Sequence, residues 1–182
     1  MPAQTITADQ SDGDLQVRTG VTGPAAKMGH RLTIAMASWR AEVRVAGGCP
    51  EAVTMTVDVG SLQVLGGEGG VTPLTDPEKV LVRSNALKTF DAKRFTQISY
   101  TAERVEPTER GYRLDGALQI HGKTRSHPLE VTVAEESGQW LITGETEVRQ
   151  SDYGIKPYSM MLGAMKVADE VTVSLSLRLP RA

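Results

Sequence analysis

The sequence predicts an all-β protein, a closed antiparallel β-barrel of about eight strands with one or two short helices. Three observations predict it. Apolar and polar residues alternate with period two along most of the chain, the pattern of strands buried on one face. Turn residues punctuate those runs at hairpin spacing. Every run alternates, so one face of the sheet must be kept dry, by closing on itself or by stacking on a second sheet. At 182 residues the chain suits a single such domain, residues 1–182, with 1–11 expected as a poorly ordered start.

The elements follow in order. A first strand is placed around Leu15 to Thr19. Leu32, Ile34 and Met36 then alternate with Thr33, Ala35 and Ala37, and Trp39, Ala41, Val43 and Val45 with Arg40, Glu42 and Arg44. After the turn Ala46-Gly47-Gly48-Cys49-Pro50 come Val53, Met55, Val57 and Val59. The patch Gly66-Gly67-Glu68-Gly69-Gly70 lacks the Lys-Ser/Thr ending of a phosphate loop and reads as a flexible loop. Thr75 with Glu78 makes a capping box, and Asp76 and Pro77 suit a first turn, so a helix is expected over Asp76–Thr89. Val80, Leu81, Leu87 and Phe90 would give that helix one apolar stripe.

Beyond the helix, Ile98, Tyr100 and Ala102 alternate, then Tyr112, Leu114, Gly116, Leu118 and Ile120 after the turn Pro107–Gly111. Leu129, Val131 and Val133 lead through Glu136-Ser137-Gly138 into Trp140, Ile142, Gly144, Thr146 and Val148. Val171, Val173, Leu175, Leu177 and Leu179 close the series. Pro157 to Met165 carries no alternation and is expected as a loop, or one to two helical turns, at a barrel mouth.

Composition excludes several function classes. Apolar residues make up 40% of the chain but aromatic ones only 4%, so aliphatic side chains and methionine must fill the core. A net charge of −2 gives no basic footprint for nucleic acid, and no polybasic run would attract an anionic membrane. No stretch approaches the roughly 18 apolar residues of a span, so stable membrane insertion is not expected. The polar start Met1-Pro2-Ala3-Gln4 is unlike a secretory signal, and the single cysteine, Cys49, fits a reducing compartment, so the cytoplasm is expected. A homodimer is compatible with the sequence.

Catalytic chemistry finds little to stand on. His30, His121 and His127 are the only histidines; the last two lie six apart, matching neither strand nor helix zinc spacing, and read as turn residues. Cys49 reads as a surface thiol, and no Gly-x-Ser-x-Gly elbow is present. No metal, no cofactor and no enzyme activity are expected. The methionines are more telling. Six internal ones, Met28, Met36, Met55, Met160, Met161 and Met165, stand against two phenylalanines. Their unbranched, polarisable side chains adapt to cavities and ligands of irregular shape.

Leu118-Gln119-Ile120-His121-Gly122-Lys123-Thr124-Arg125-Ser126-His127-Pro128-Leu129 resembles the central hairpin of the YceI-like family, lipocalin-like polyisoprenoid-binding proteins. Met28-Gly29-His30, Phe90-Asp91 with Phe95 to Tyr100, and Ser151 to Ile155 with Val167 to Val171 resemble further segments of that family in order and spacing. The resemblance spans roughly residues 12 to 179. Three features depart from it: Thr96 stands in place of a proline, Gln150 in place of a basic residue, and Gly66 to Leu74 replace the usual link into the helix.

The resemblance implies a barrel whose tunnel holds a polyisoprenoid, an isoprenoid quinone or a related lipid, the protein acting as a carrier. Strand parity selects Met36, Met55, Ile98, Tyr100, Leu114, Leu118, Val131, Ile142, Val173 and Leu175 as the tunnel wall. Met160, Met161 and Met165 are expected at the portal. Two rivals remain. One is an enzyme acting on a bound lipid through His30, Tyr100 or Asp152. The other is an interaction module whose barrel is solid core and whose helix face binds a protein.

Overall fold

The alternating runs become strands, as their β-branched and aliphatic inward positions require. The computed structural model describes residues 3–181. In chain order its elements are β1 Gln4–Asp9, β2 Gly13–Arg18, β3 Val21–Thr22, β4 His30–Met36, β5 Trp39–Ala46, β6 Cys49–Asp58, β7 Leu62–Gly69 and helix α1 Asp76–Thr89. There follow β8 Gln97–Pro107, β9 Gly111–Ile120, β10 Lys123–Ser126, β11 Leu129–Glu136, β12 Gln139–Arg149, β13 Ser159–Met160, β14 Met165–Val167 and β15 Glu170–Pro180.

One antiparallel sheet dominates, in the order β1-β5-β6-β8-β9-β11-β12-β15-β2-β4-β7, with β10 added beside β9. A second sheet of three short strands has the order β13-β14-β3. The expected closure is corrected: the large sheet curls into an open half-barrel, its path runs through eleven strands, and β1 and β7 form its ends. β7 is left as an end strand, and the Arg83 guanidinium of α1 docks where it begins. Its Nε donates to Leu62 O at 2.8 Å and its Nη2 to Gly60 O at 2.7 Å. The helix thus covers an edge that a closed barrel would pair with another strand.

Two further expectations change. Residues 1–11 include β1, which pairs with β5 from Gln4↔Val45 to Asp9↔Arg40 because Thr5, Ile6 and Thr7 favour extended backbone. The glycine patch is largely strand: β7 pairs with β4, with a bulge opposite Thr33 and Ile34. Its glycines make room for the His30 side chain: a Cβ at Gly67 would meet the His30 Cβ at 3.0 Å, and one at Gly70 would meet the ring at 2.7 Å. His30 Nε2 donates to Thr72 O at 2.7 Å, so this histidine fixes the strand's exit.

Helix α1 begins and ends as its sequence dictates. Both halves of the capping box form between Thr75 and Glu78, and Asp91, with φ of 50°, turns the chain out. The apolar stripe is narrower than the sequence suggested. Leu87, Ala86 and Phe90 pack on the core, while Val80 and Leu81 are exposed. Arg83 takes over part of the docking that the stripe does not supply.

Three buried clusters fill the inside of the curl. Ala8, Leu15, Ile34, Met36, Trp39 and Leu62 belong to one that joins both ends of the sheet. Tyr100, Ala102 and Leu114 form a second, and Ile120, Val148, Tyr153 and Ile155 a third.

Candidate functional site

Between these clusters the inward side chains leave a cavity of about 180 Å³ with an apolar wall. β2 supplies Leu15 and Val17, β4 supplies Ile34 and Met36, and β6 supplies Met55 and Val57. Each pair is two residues apart, as a strand presents one face to the interior. The volume somewhat exceeds the roughly 150 Å³ of a dry apolar cavity that takes benzene.

Of the thirteen residues assigned to the tunnel and portal, six line this chamber: Met36, Met55, Ile98, Tyr100, Leu118 and Val173. Leu114 and Val131 pack in the cluster of Tyr100 and lie outside the lining. Ile142 and Leu175 pack against the cluster that joins the sheet ends. Met160 and Met161 are exposed in the small sheet and lie outside the lining. Met165 lies outside it too, its sulfur close against Gly29.

Sequence reasoning missed the residues that close the chamber. Phe90 enters from the end of α1, and Tyr153 and Ile155 from the short 3-10 turn after β12 and the residues beyond it. None lies in an alternating run, so periodicity gives no signal for them. His127, a turn histidine by its sequence, stands between β10 and β11 and lines the chamber. His121 does sit in a turn, with φ of 55°, its ring 4.6 Å from that of Phe95.

Hydrogen bonds hold three of the chamber's polar side chains in place. The Tyr100 hydroxyl donates to His127 O at 2.7 Å, and burial, helped by the negative field of Asp115, pushes its pKa up to about 12. His127 Nε2 and Thr146 Oγ1 share a hydrogen bond of 2.8 Å, and burial pushes the imidazole pKa down, favouring the neutral ring. Gln150 is buried at the chamber wall, and its Nε2 donates to Ala168 O at 3.0 Å. Of the residues considered for acid–base work, only Tyr100 reaches the chamber; His30 and Asp152 do not line it.

A polar recess lies outside this wall and shares His127, Val148 and Tyr153 with the chamber. Arg125 and Arg149 face it together with Glu147, Asp152 and Glu170. Arg149 lies 3.6 Å from Glu170, whose carboxylate, by hydrogen bond and repulsion, pushes the Glu147 pKa up. The two cations are thus outnumbered by carboxylates.

The family model of the YceI-like domain matches residues 5–179. Among solved structures, BcnA of Burkholderia cenocepacia superposes with a TM-score of 0.69 at 20% identity, over 93% of this chain and 98% of that one. The YceI protein of Campylobacter jejuni gives a TM-score of 0.60 at 12% identity, over 82% and 84% of the two chains. A mutant YceI protein solved with a monobromobimane guest gives 0.61 at 12% identity, with the same coverage. At these identities the likeness concerns the fold. No curated protein is similar enough to register as a relative. The match over nearly the whole sequence decides the family: the chain belongs to the YceI-like proteins.

Proposed function

We propose that the protein binds the chain of an apolar or amphiphilic small molecule, a polyisoprenoid, an isoprenoid quinone or a related lipid, and acts as a carrier rather than a catalyst. The apolar chamber between the three buried clusters carries this reading. It also counts against a solid-core module. Apolar contact alone gives roughly 0.8 kcal/mol per buried methylene, about fourfold in affinity. Affinity should climb with chain length until the chamber is full and then level off.

The head group is neutral. Gln150 stands where the family pattern has a basic residue, and the arginines of the adjoining recess face a majority of carboxylates. A phosphate would meet net repulsion there, so a quinone or an uncharged amphiphile fits better than a polyprenyl phosphate.

The test is displacement of a bound apolar dye by quinones, isoprenols and fatty acids of graded length. Met55→Trp and Leu118→Trp should fill the chamber and abolish displacement, at about 1–3 kcal/mol of stability from overpacking. Arg44→Ala, on the outer face, should change neither. Should no chain displace the dye, or should the tryptophan variants bind like wild type, the reading fails.

A further inference from the structure

The small sheet brings together two segments far apart in sequence, residues 20–29 and 156–166. β14 pairs with β13 through Met160↔Met165 and with β3 through Lys166↔Thr22. The Ala25 amide donates to Ala164 O at 2.9 Å. These segments carry Lys27, Lys156 and Lys166, all exposed, and contain no aspartate or glutamate. Among the described residues none of the three lysines pairs with a carboxylate, although pairs such as Arg40–Glu42 and Arg113–Asp115 are common on the rest of the surface. A chain of net charge −2 thus carries one locally cationic lobe.

The same lobe exposes Met28, Tyr158, Met160, Met161 and Leu162. Its hairpin tip turns through Met161 and Leu162 with φ of 54° and 55°. Bulky residues rarely adopt that backbone, and asparagine or glycine would hold it with less strain. The consequence is that the Leu162 side chain stands wholly clear of the protein. Strain that presents an apolar side chain to solvent points to a partner that receives it.

We propose that this lobe docks the protein peripherally on an anionic lipid surface. A convex apolar tip suits a fluid layer that closes around it. Lysine side chains reach phosphate groups while their stems lie along apolar surface, and a tyrosine suits the interface. A second copy is a poor occupant, because a symmetric contact would set lysines against lysines. No described helix is long and apolar enough to cross a membrane. The lobe adjoins the chamber: Ile155 precedes Lys156, and Ala168, which accepts from Gln150, donates to Gly20 O at 2.9 Å. The docking does not require that the chamber hold a lipid.

Co-sedimentation with phosphatidylcholine vesicles, with and without phosphatidylglycerol, tests it. Wild type should pellet only with the anionic vesicles and should be released by high salt. Replacing Lys27, Lys156 and Lys166 together by glutamine should weaken binding about a hundredfold, at roughly fivefold per lysine. Leu162→Asn should weaken it about tenfold without lowering the melting temperature, since asparagine accepts the left-handed backbone. Dye displacement from the chamber, measured without vesicles, should be unchanged in both variants. Absence of binding to anionic vesicles, or wild-type binding by Leu162→Asn, overturns the proposal. Lysine-dependent binding to polyglutamate in place of vesicles would overturn it in favour of an acidic protein partner.

Discussion

Gly116→Ala should destabilise the protein far more than one methyl group suggests. Gly116 sits on β9 opposite Ala102, beside the position that pairs with Tyr100. A Cβ there would meet the Tyr100 ring and hydroxyl at 2.4–2.5 Å, well inside van der Waals contact. The ring cannot yield easily, because Tyr100 is only 8% exposed and its hydroxyl is tied to His127 O. Overpacking of this kind costs about 1–3 kcal/mol, and the lost hydrogen bond adds about 1 kcal/mol. A total near 3 kcal/mol corresponds to roughly 6–12 °C in melting temperature for a chain of this size. Urea titration of wild type, Gly116→Ala, Tyr100→Val and the double variant gives the coupling directly. Since Tyr100→Val removes the obstructing ring, most of the glycine's effect should vanish in that background. A loss under about 0.5 kcal/mol for Gly116→Ala, the range of neutral surface changes, would refute the reasoning. An additive double variant would refute it equally.

Two further outcomes are expected. Burial lowers the His127 pKa, so the folded protein favours the neutral ring. The associated stability is complete above the free-histidine value of about 6.5 and is lost as pH falls through the depressed folded value. Apolar-ligand affinity should fall in the same window, and His127→Gln should remove that component from melting curves and dye titrations taken across it. Arg83→Met should free the helix from the sheet edge at a local cost of about 1–2 kcal/mol; hydrogen exchange should quicken in Asp76–Thr89 and Leu62–Gly69 and leave β12 and β15 unchanged.

What the sequence made legible follows from how local each signal is. Alternation in Ile98-Ser99-Tyr100-Thr101-Ala102 is local and strong, and the inward parity it assigns is the one observed. The capping box of Thr75 and Glu78 is equally local, and α1 spans the expected residues. Closure is not local. It depends on whether β1 and β7 meet, which the pattern within any single strand does not record. The chamber was half legible for the same reason. Strand parity identified Met36, Met55 and Leu118, whereas Phe90, Tyr153 and Ile155 reach it from a helix end and an irregular segment. The lysine lobe escapes any scan for basic runs because its charges come from segments on either side of most of the chain.

The unclosed sheet has a mechanical consequence. In a sealed barrel, widening the interior means rupturing a ladder of backbone hydrogen bonds, and the cross-section is rigid. Here no ladder joins the two end strands to each other; they share one apolar cluster, Ala8 from β1 and Leu62 from β7. Such contacts slide and repack with little directional penalty. The wall is therefore compliant along one seam, and the interior can widen by splaying that seam while every ladder from β5 to β4 stays intact.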